Sequence, residues 1–265
     1  MFDLIDESGQ DLKRYGYTVK QLEQYDISVA SLIIENDKES EKIGLDKGEY
    51  YIFNSPFVHE LGIENSSYLI SLISSQLKKI FRKLKITKKS RFLIVGLGNP
   101  DIDADKLGKI VFDEIEINPL EKNNNIFKFC PNIFFSTGIN TLEMVKLFSN
   151  HLKIDCAIII DSLTTSSMER LGKSFQITTS GMTPGSGVNR FGSRINKKSI
   201  CAECISIGVP FMIFSSALNK NQEYEMILSP KDIKENVETA GFIIAKAIME
   251  ILKWIITYLF LFLLF

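Results

Sequence analysis

Arg91-Phe-Leu-Ile-Val95, running into Gly96-Leu-Gly-Asn-Pro-Asp-Ile-Asp-Ala-Asp105, is the stretch from which the fold is read. A short aliphatic run that stops at glycines reads as a fully buried parallel strand. A second such run, Cys156-Ala-Ile-Ile-Ile160, ends on Asp161-Ser-Leu. Ligand and catalytic groups of open α/β sheets collect beyond the carboxyl ends of such strands. Asp105 and Asp161 are therefore the candidate chemical groups of the chain.

Working outward, strand and helix signals alternate. Ser67 to Leu84 carries apolar residues at helical spacing, with Lys and Arg crowding its end, where they suit the helix dipole. Helices are also expected from Ala104 to Ile115 and from Asn140 to Leu152, the latter capped by Asn140 or Thr141. A short helical stretch is expected between Asp161 and Leu171, and a last helix from Pro230. Strands are expected at Ser28–Ile34, Tyr50–Phe53, Asn132–Phe135, Phe175–Thr178, Cys204–Ile207 and Phe211–Phe214, and a short helix at Thr18–Gln24. The alternation predicts an α/β fold, a mainly parallel twisted sheet with helices on both faces. One domain is expected over 1–253, followed by an uncharged apolar tail, 254–265. That tail reads as the greasy end of an amphipathic core helix, or as a contact for a membrane or a partner.

Composition narrows the function. Lys plus Arg number 31 and Asp plus Glu 32, so bulk charge gives no case for direct nucleic-acid binding. The acidic start, Met1-Phe-Asp-Leu-Ile-Asp6, lacks the pattern of a signal peptide, and a cytoplasmic location is expected. Cys201-Ala-Glu-Cys204 is a lone C-x-x-C, and neither His59 nor His151 has a partner at ligand spacing, so no metal is assigned. The Gly96 turn fails the dinucleotide pattern, because Asp101 stands where the third glycine belongs. Peptidyl-tRNA hydrolases share the Gly-Leu-Gly-Asn-Pro letters, but their following histidine is missing here. The second glycine loop, Thr183-Pro-Gly-Ser-Gly-Val188, forces a tight path that can offer N–H groups to an oxyanion.

These pieces together resemble the germination protease family of spore-forming Firmicutes. Gly96–Asn99, with Asp105 six residues after Asn99 and Gly108 three further on, is similar to its Gly-Leu-Gly-Asn…Asp-x-Leu-Gly motif. Asp3-Leu-Ile-Asp-Glu7, Gly44–Tyr51, Ser136–Glu143, Asp161-Ser-Leu, Glu169-Arg-Leu171, Gln176-Ile177, Pro184–Val188, Ile207–Pro210 and Ser229–Ile233 continue the likeness in order. The resemblance implies a fold related to hydrogenase-maturation peptidases and an endopeptidase that degrades small acid-soluble spore proteins in the germinating spore. It implies Asp105 and Asp161 as the catalytic pair, with Asn99, Gly185, Ser186 and Gly187 beside the substrate. It further implies no cofactor, a homotetramer, and a location in the forespore or spore core.

Two close carboxylates cannot both ionise easily, so one holds a proton and the other can activate water. Competing readings remain, among them a metal-dependent maturation peptidase. Asp161 can be a helix N-cap and Asp105 a first-turn acid. Alternatively, the chain is a non-catalytic relative that binds spore proteins or a membrane partner. Departures from the family pattern favour the latter: Met1-Phe2 stand where Arg-Thr is usual, Ser166 replaces an arginine, Thr179-Ser180-Gly181 an Asp-Thr-Gly, and Asn189-Arg190 a Gly-Asn.

Overall fold

The computed structural model describes residues 12–22, 25–87, 89–117, 125–185, 193–219 and 224–261. Their strands are β1 (Thr18–Leu22), β2 (Ile27–Ile34), β3 (Gly48–Asn54), β4 (Phe92–Gly96), β5 (Ile126–Phe129), β6 (Cys156–Thr165), β7 (Ser174–Thr178), β8 (Glu203–Phe214) and β9 (Ile227–Leu228). The helices are α1 (Asp37–Ile43), α2 (Ile63–Lys83), α3 (Leu107–Glu114), α4 (Phe134–Thr137), α5 (Thr141–His151), α6 (Lys197–Ile200) and α7 (Ile233–Leu261).

All the strands join one sheet in the order β1-β2-β3-β7-β8-β6-β4-β5, with β9 paired to β8. β5, β4, β6 and β8 form a parallel core. The meander β1-β2-β3 extends it through antiparallel β7. The α/β expectation holds, and two of the four parallel strands, β4 and β6, are the segments read as unbroken aliphatic runs.

Helices cover both faces. α2, α3 and α7 bury Leu69, Ile73, Phe81, Leu107, Val111, Ile244 and Ile248 against Phe92, Ile158, Ile160, Phe175 and Ile207. Fully burying each such side chain contributes about 1.5–3 kcal/mol before chain entropy is subtracted. On the other face α5 and α6 cover Leu93, Val95, Ala157 and Ile159. Leu12 and Ile43 pack over β2 and β3 there.

Several boundaries differ from the sequence reading, each for a physical reason. Thr18–Leu22 is a strand because pairing with β2 outweighs a weak helical pattern. α1 had no apolar stripe to announce it; Asn36 caps it, accepting from Glu39 N–H at 3.0 Å. The strand after α3 is Ile126–Phe129, whereas Phe134–Thr137 forms a helical turn. The final helix begins at Ile233, three residues past Pro230.

Two corrections bear on the site. β6 does not stop at Asp161 but continues to Thr165, so no helix starts there and Asp161 stands inside a strand. The two expected strands around Pro210 are one strand, β8. Its proline, which has no N–H for the ladder, sits at a bulge where Leu163 pairs Pro210 and Thr164 pairs Met212. The Pro210 carbonyl accepts instead from Gly172 N–H at 2.7 Å.

Candidate active site

The Gly-Leu-Gly-Asn turn is a close contact between a strand end and a helix start. A Cβ on Gly96 would lie 2.1 Å from Gly108 O, and one on Gly108 would lie 2.3 Å from Leu97 N. Gly98 has φ +99°, and a Cβ there would lie 1.9 Å from Asp105 O. Only glycine permits this approach. It lets the chain fold back so that Asn99 N–H donates to the Asp105 carboxyl at 3.0 Å. Ile102 N–H to Asn99 O and Asp105 N–H to Ile102 O wind the intervening turn.

Asp161 lies one strand away. Gly96 pairs with Ile160, and Leu97 N–H donates to Ile160 O at 2.8 Å. The next residue, Ser162, reaches α3: its Oγ is 3.4 Å from Leu107 N–H. Both acids thus belong to the carboxyl-terminal corner formed by β4 and β6. Asp161 is only 6% exposed, and Asp105 is half-buried. Four polar residues of β6, Asp161, Ser162, Thr164 and Thr165, are buried in the central strand. Buried polar groups on this scale mark a site rather than a core.

The sequence reading missed two polar clusters. His59, in the 3-10 turn Val58–Glu60, packs against the start of α7. Asn236 is fully buried; its Nδ2 donates to Asp232 O at 2.8 Å, so its Oδ1 accepts from His59 Nδ1 at 3.0 Å. That bond orients the imidazole, whose Nε2 lies 3.9 Å from Glu60 Oε1. The turn of Asp103–Asp105 packs against α7 as well. In the other cluster Arg170 Nη1 and Ser174 Oγ both donate to Asn54 Oδ1, at 2.9 and 2.6 Å. This ties the turn before β7 to β3. Arg170 lies within the Glu169-Arg-Leu171 likeness, but neither pairing is written in the sequence, because the partners are 177 and 116 residues apart.

Of the expected substrate contacts, Asn99 is at the site, with its N–H committed to Asp105. Gly185 lies in the turn after β7, with φ +69°. β7 runs antiparallel to β8, so that loop leaves the sheet at Thr178 beside Ser206, on the amino-terminal side of the row holding Asp161. Ser186 and Gly187 lie outside the described residues. Among the described residues no group of three or more His, Cys, Asp or Glu is arranged to hold a metal ion. No described helix is long and apolar enough to cross a membrane. Of the C-x-x-C pair, Cys201 is exposed and Cys204 is buried, its thiol pushed up to about 12 by burial.

Fold and site together define an α/β protein with acidic groups at the carboxyl edge of a parallel core. Comparison with known sequences gives the class its name. The sequence model of the germination protease family matches residues 5–250, and the chain belongs to that family of peptidases. The germination protease of Clostridium tetani is 29% identical over 223 residues, spanning 80% of this chain and 68% of the relative. That of Clostridium acetobutylicum is 27% identical over 233 residues, spanning 84% and 71%. Among solved structures, the NiFe hydrogenase maturation protease HycI of Thermococcus kodakarensis aligns with a TM-score of 0.37 at 19% identity, covering 60% of this chain and 93% of that one.

Proposed function

We propose that the chain is an endopeptidase that starts the degradation of small acid-soluble spore proteins during germination, with Asp105 and Asp161 acting on water. The observation that carries this reading is the glycine-enforced turn that brings Asp105 back onto Asn99, beside the strand that holds a buried Asp161. A turn this tightly specified is costly to build for a solvent-exposed helix-start acid alone. One carboxylate takes the proton of the attacking water. The other, protonated, polarises the scissile carbonyl and then protonates the leaving amine. The protein works as a homotetramer in the spore core, without a cofactor. Asn99, whose N–H bonds Asp105, contacts the substrate.

The test is cleavage of a small acid-soluble spore protein by wild type, Asp105→Asn and Asp161→Asn. Defined fragments from wild type alone support the proposal. No cleavage by folded wild-type protein, beside an active germination protease, overturns it in favour of a non-catalytic relative. Ser166 and Thr179-Ser180-Gly181, which depart from the family pattern, are the observation behind that second reading.

A further inference from the structure

α2 and α7 carry two unusual stretches to the same end of the molecule. Between Lys78 and Arg91 the chain holds eight Lys and Arg and no Asp or Glu. From Trp254 to Phe265 it holds no charge, and only Thr257 and Tyr258 among those twelve residues bear a polar group beyond the indole N–H. α2 ends at the amino edge of the parallel core, where Leu84, Lys85 and Ile86 line a cleft with Ile154, Asp155 and Glu203, at the starts of β6 and β8. α7 runs to the same edge. It starts beside the Asp103–Asp105 turn at the carboxyl corner and passes along α3, where a Cβ on Gly241 would lie 2.4 Å from Ile110 Cγ2. It packs against α2, is still buried at Ile251 and Leu252, and continues as helix to Leu261.

The charge at this edge is lopsided. Lys79, Arg82, Lys85 and Lys89 are exposed, and so is Lys83, which pairs with Glu49. Of the nearby acids, Asp155 accepts from Arg91 N–H at 2.7 Å, Glu203 pairs with Lys197, and Glu250 is exposed on α7 close to exposed Lys253. A bilayer-spanning helix needs about 20 apolar residues, whereas twelve, about 18 Å of helix, reach into one leaflet. An apolar helical run beside a block of Lys and Arg is the pair of signals that holds a protein at an anionic membrane surface. Trp and Tyr favour that interface, and Trp254 and Tyr258 head the run. A nucleic acid would use the charge and leave the run in water. A second copy would cover the run but bring like charges together.

We propose that the amino edge docks on an anionic lipid bilayer, with the run from Trp254 entering one leaflet and the basic end of α2 against the headgroups. The corner with Asp105 and Asp161 then faces away from the lipid, open to protein substrates. The proposal stands whether or not that corner is catalytic. The test uses the full chain with vesicles of phosphatidylcholine alone or with about 30% phosphatidylglycerol. Flotation gives the partition. Trp254 is the only tryptophan, so its emission reports the run directly.

Wild type is expected to float with the anionic vesicles, its emission shifted to the blue and quenched by brominated lipid. Partition should be at least about fivefold weaker on neutral vesicles or in about 0.5 M NaCl. Lys85→Glu with Lys89→Glu should weaken it about ten- to hundredfold, and Ile256→Glu with Leu259→Glu should abolish it. Lys231→Glu with Lys234→Glu, the same charge change at the other end of α7, should leave it within about twofold. Thermal transitions show that each variant is folded. Partition unchanged in either of the first two variants overturns the proposal. So does wild type that stays off both kinds of vesicle. Binding to a DNA duplex in that case assigns the basic end of α2 to nucleic acid, and self-association lost in Ile256→Glu with Leu259→Glu assigns the run to a second copy.

Discussion

Replacing Gly98 with alanine tests whether close packing is what fixes the acidic turn. The added Cβ would lie 1.9 Å from the Asp105 carbonyl oxygen and 3.1 Å from its Oδ1. Ordinary carbon–oxygen contact needs more than an ångström beyond the first of these, so backbone must move. Forcing a group into a packed site costs about 1–3 kcal/mol. Holding an L-residue at a positive φ adds about 1–2 kcal/mol. The sum, about 2–5 kcal/mol, is a large share of the roughly 5–15 kcal/mol that holds a domain together. Gly62→Ala is the control: it has open space within 4 Å and an ordinary φ of −66°, so its stability should stay within about 1 kcal/mol of wild type. Urea denaturation followed by circular dichroism measures both. A Gly98→Ala protein within about 0.5 kcal/mol of wild type would refute the packing argument, and with it the account of why this turn is glycine-rich.

Further outcomes follow from the same structure. Native protein treated with a thiol reagent should label Cys201 rapidly and Cys204 and Cys156 only on unfolding, because the latter two are buried with raised thiol pKa values; equal labelling rates would contradict this. The folded Cys204 pKa of about 12 exceeds its ordinary 9.0. The folded state therefore holds that proton more tightly, and the stability it contributes is full below pH 9 and lost as pH rises towards 12. Urea titrations at pH 8 and 10.5 should show Cys204→Ala losing about 2 kcal/mol less than wild type between the two. Asn140→Ala should cost about 1 kcal/mol, since Asn140 Oδ1 accepts from Leu142 N–H at 2.9 Å at the start of α5; an unchanged unfolding midpoint would count against that cap.

The parallel core was legible because its strands are buried on both faces, and that condition writes itself as unbroken aliphatic runs at 92–96 and 156–160. The cap of α5 and the apolar face of α2 were legible for equally local reasons. What escaped was set by distant partners. Asp161 looked like the end of a strand because three of the next four residues, Ser162, Thr164 and Thr165, are polar. Those residues stay extended because β8 supplies a partner through Ile213. Pro210 looked like a break because the bulge that accommodates it depends on β6 and on Gly172.

The pairing of β3 with β7 also sets a schedule for the chain during synthesis. Tyr50 pairs with Thr178, so the meander β1-β2-β3 waits for some 128 further residues before its inner edge is matched. At about 5–20 residues per second that wait is roughly 6 to 25 seconds. Meanwhile an unpaired strand, with Tyr50, Ile52 and Phe53 among its side chains, stands open to other nascent chains. Slow translation over the middle of the message would lengthen this exposure. Holding the emerging N-terminal segment apart from its neighbours would then govern the yield of folded protein, whatever its final stability.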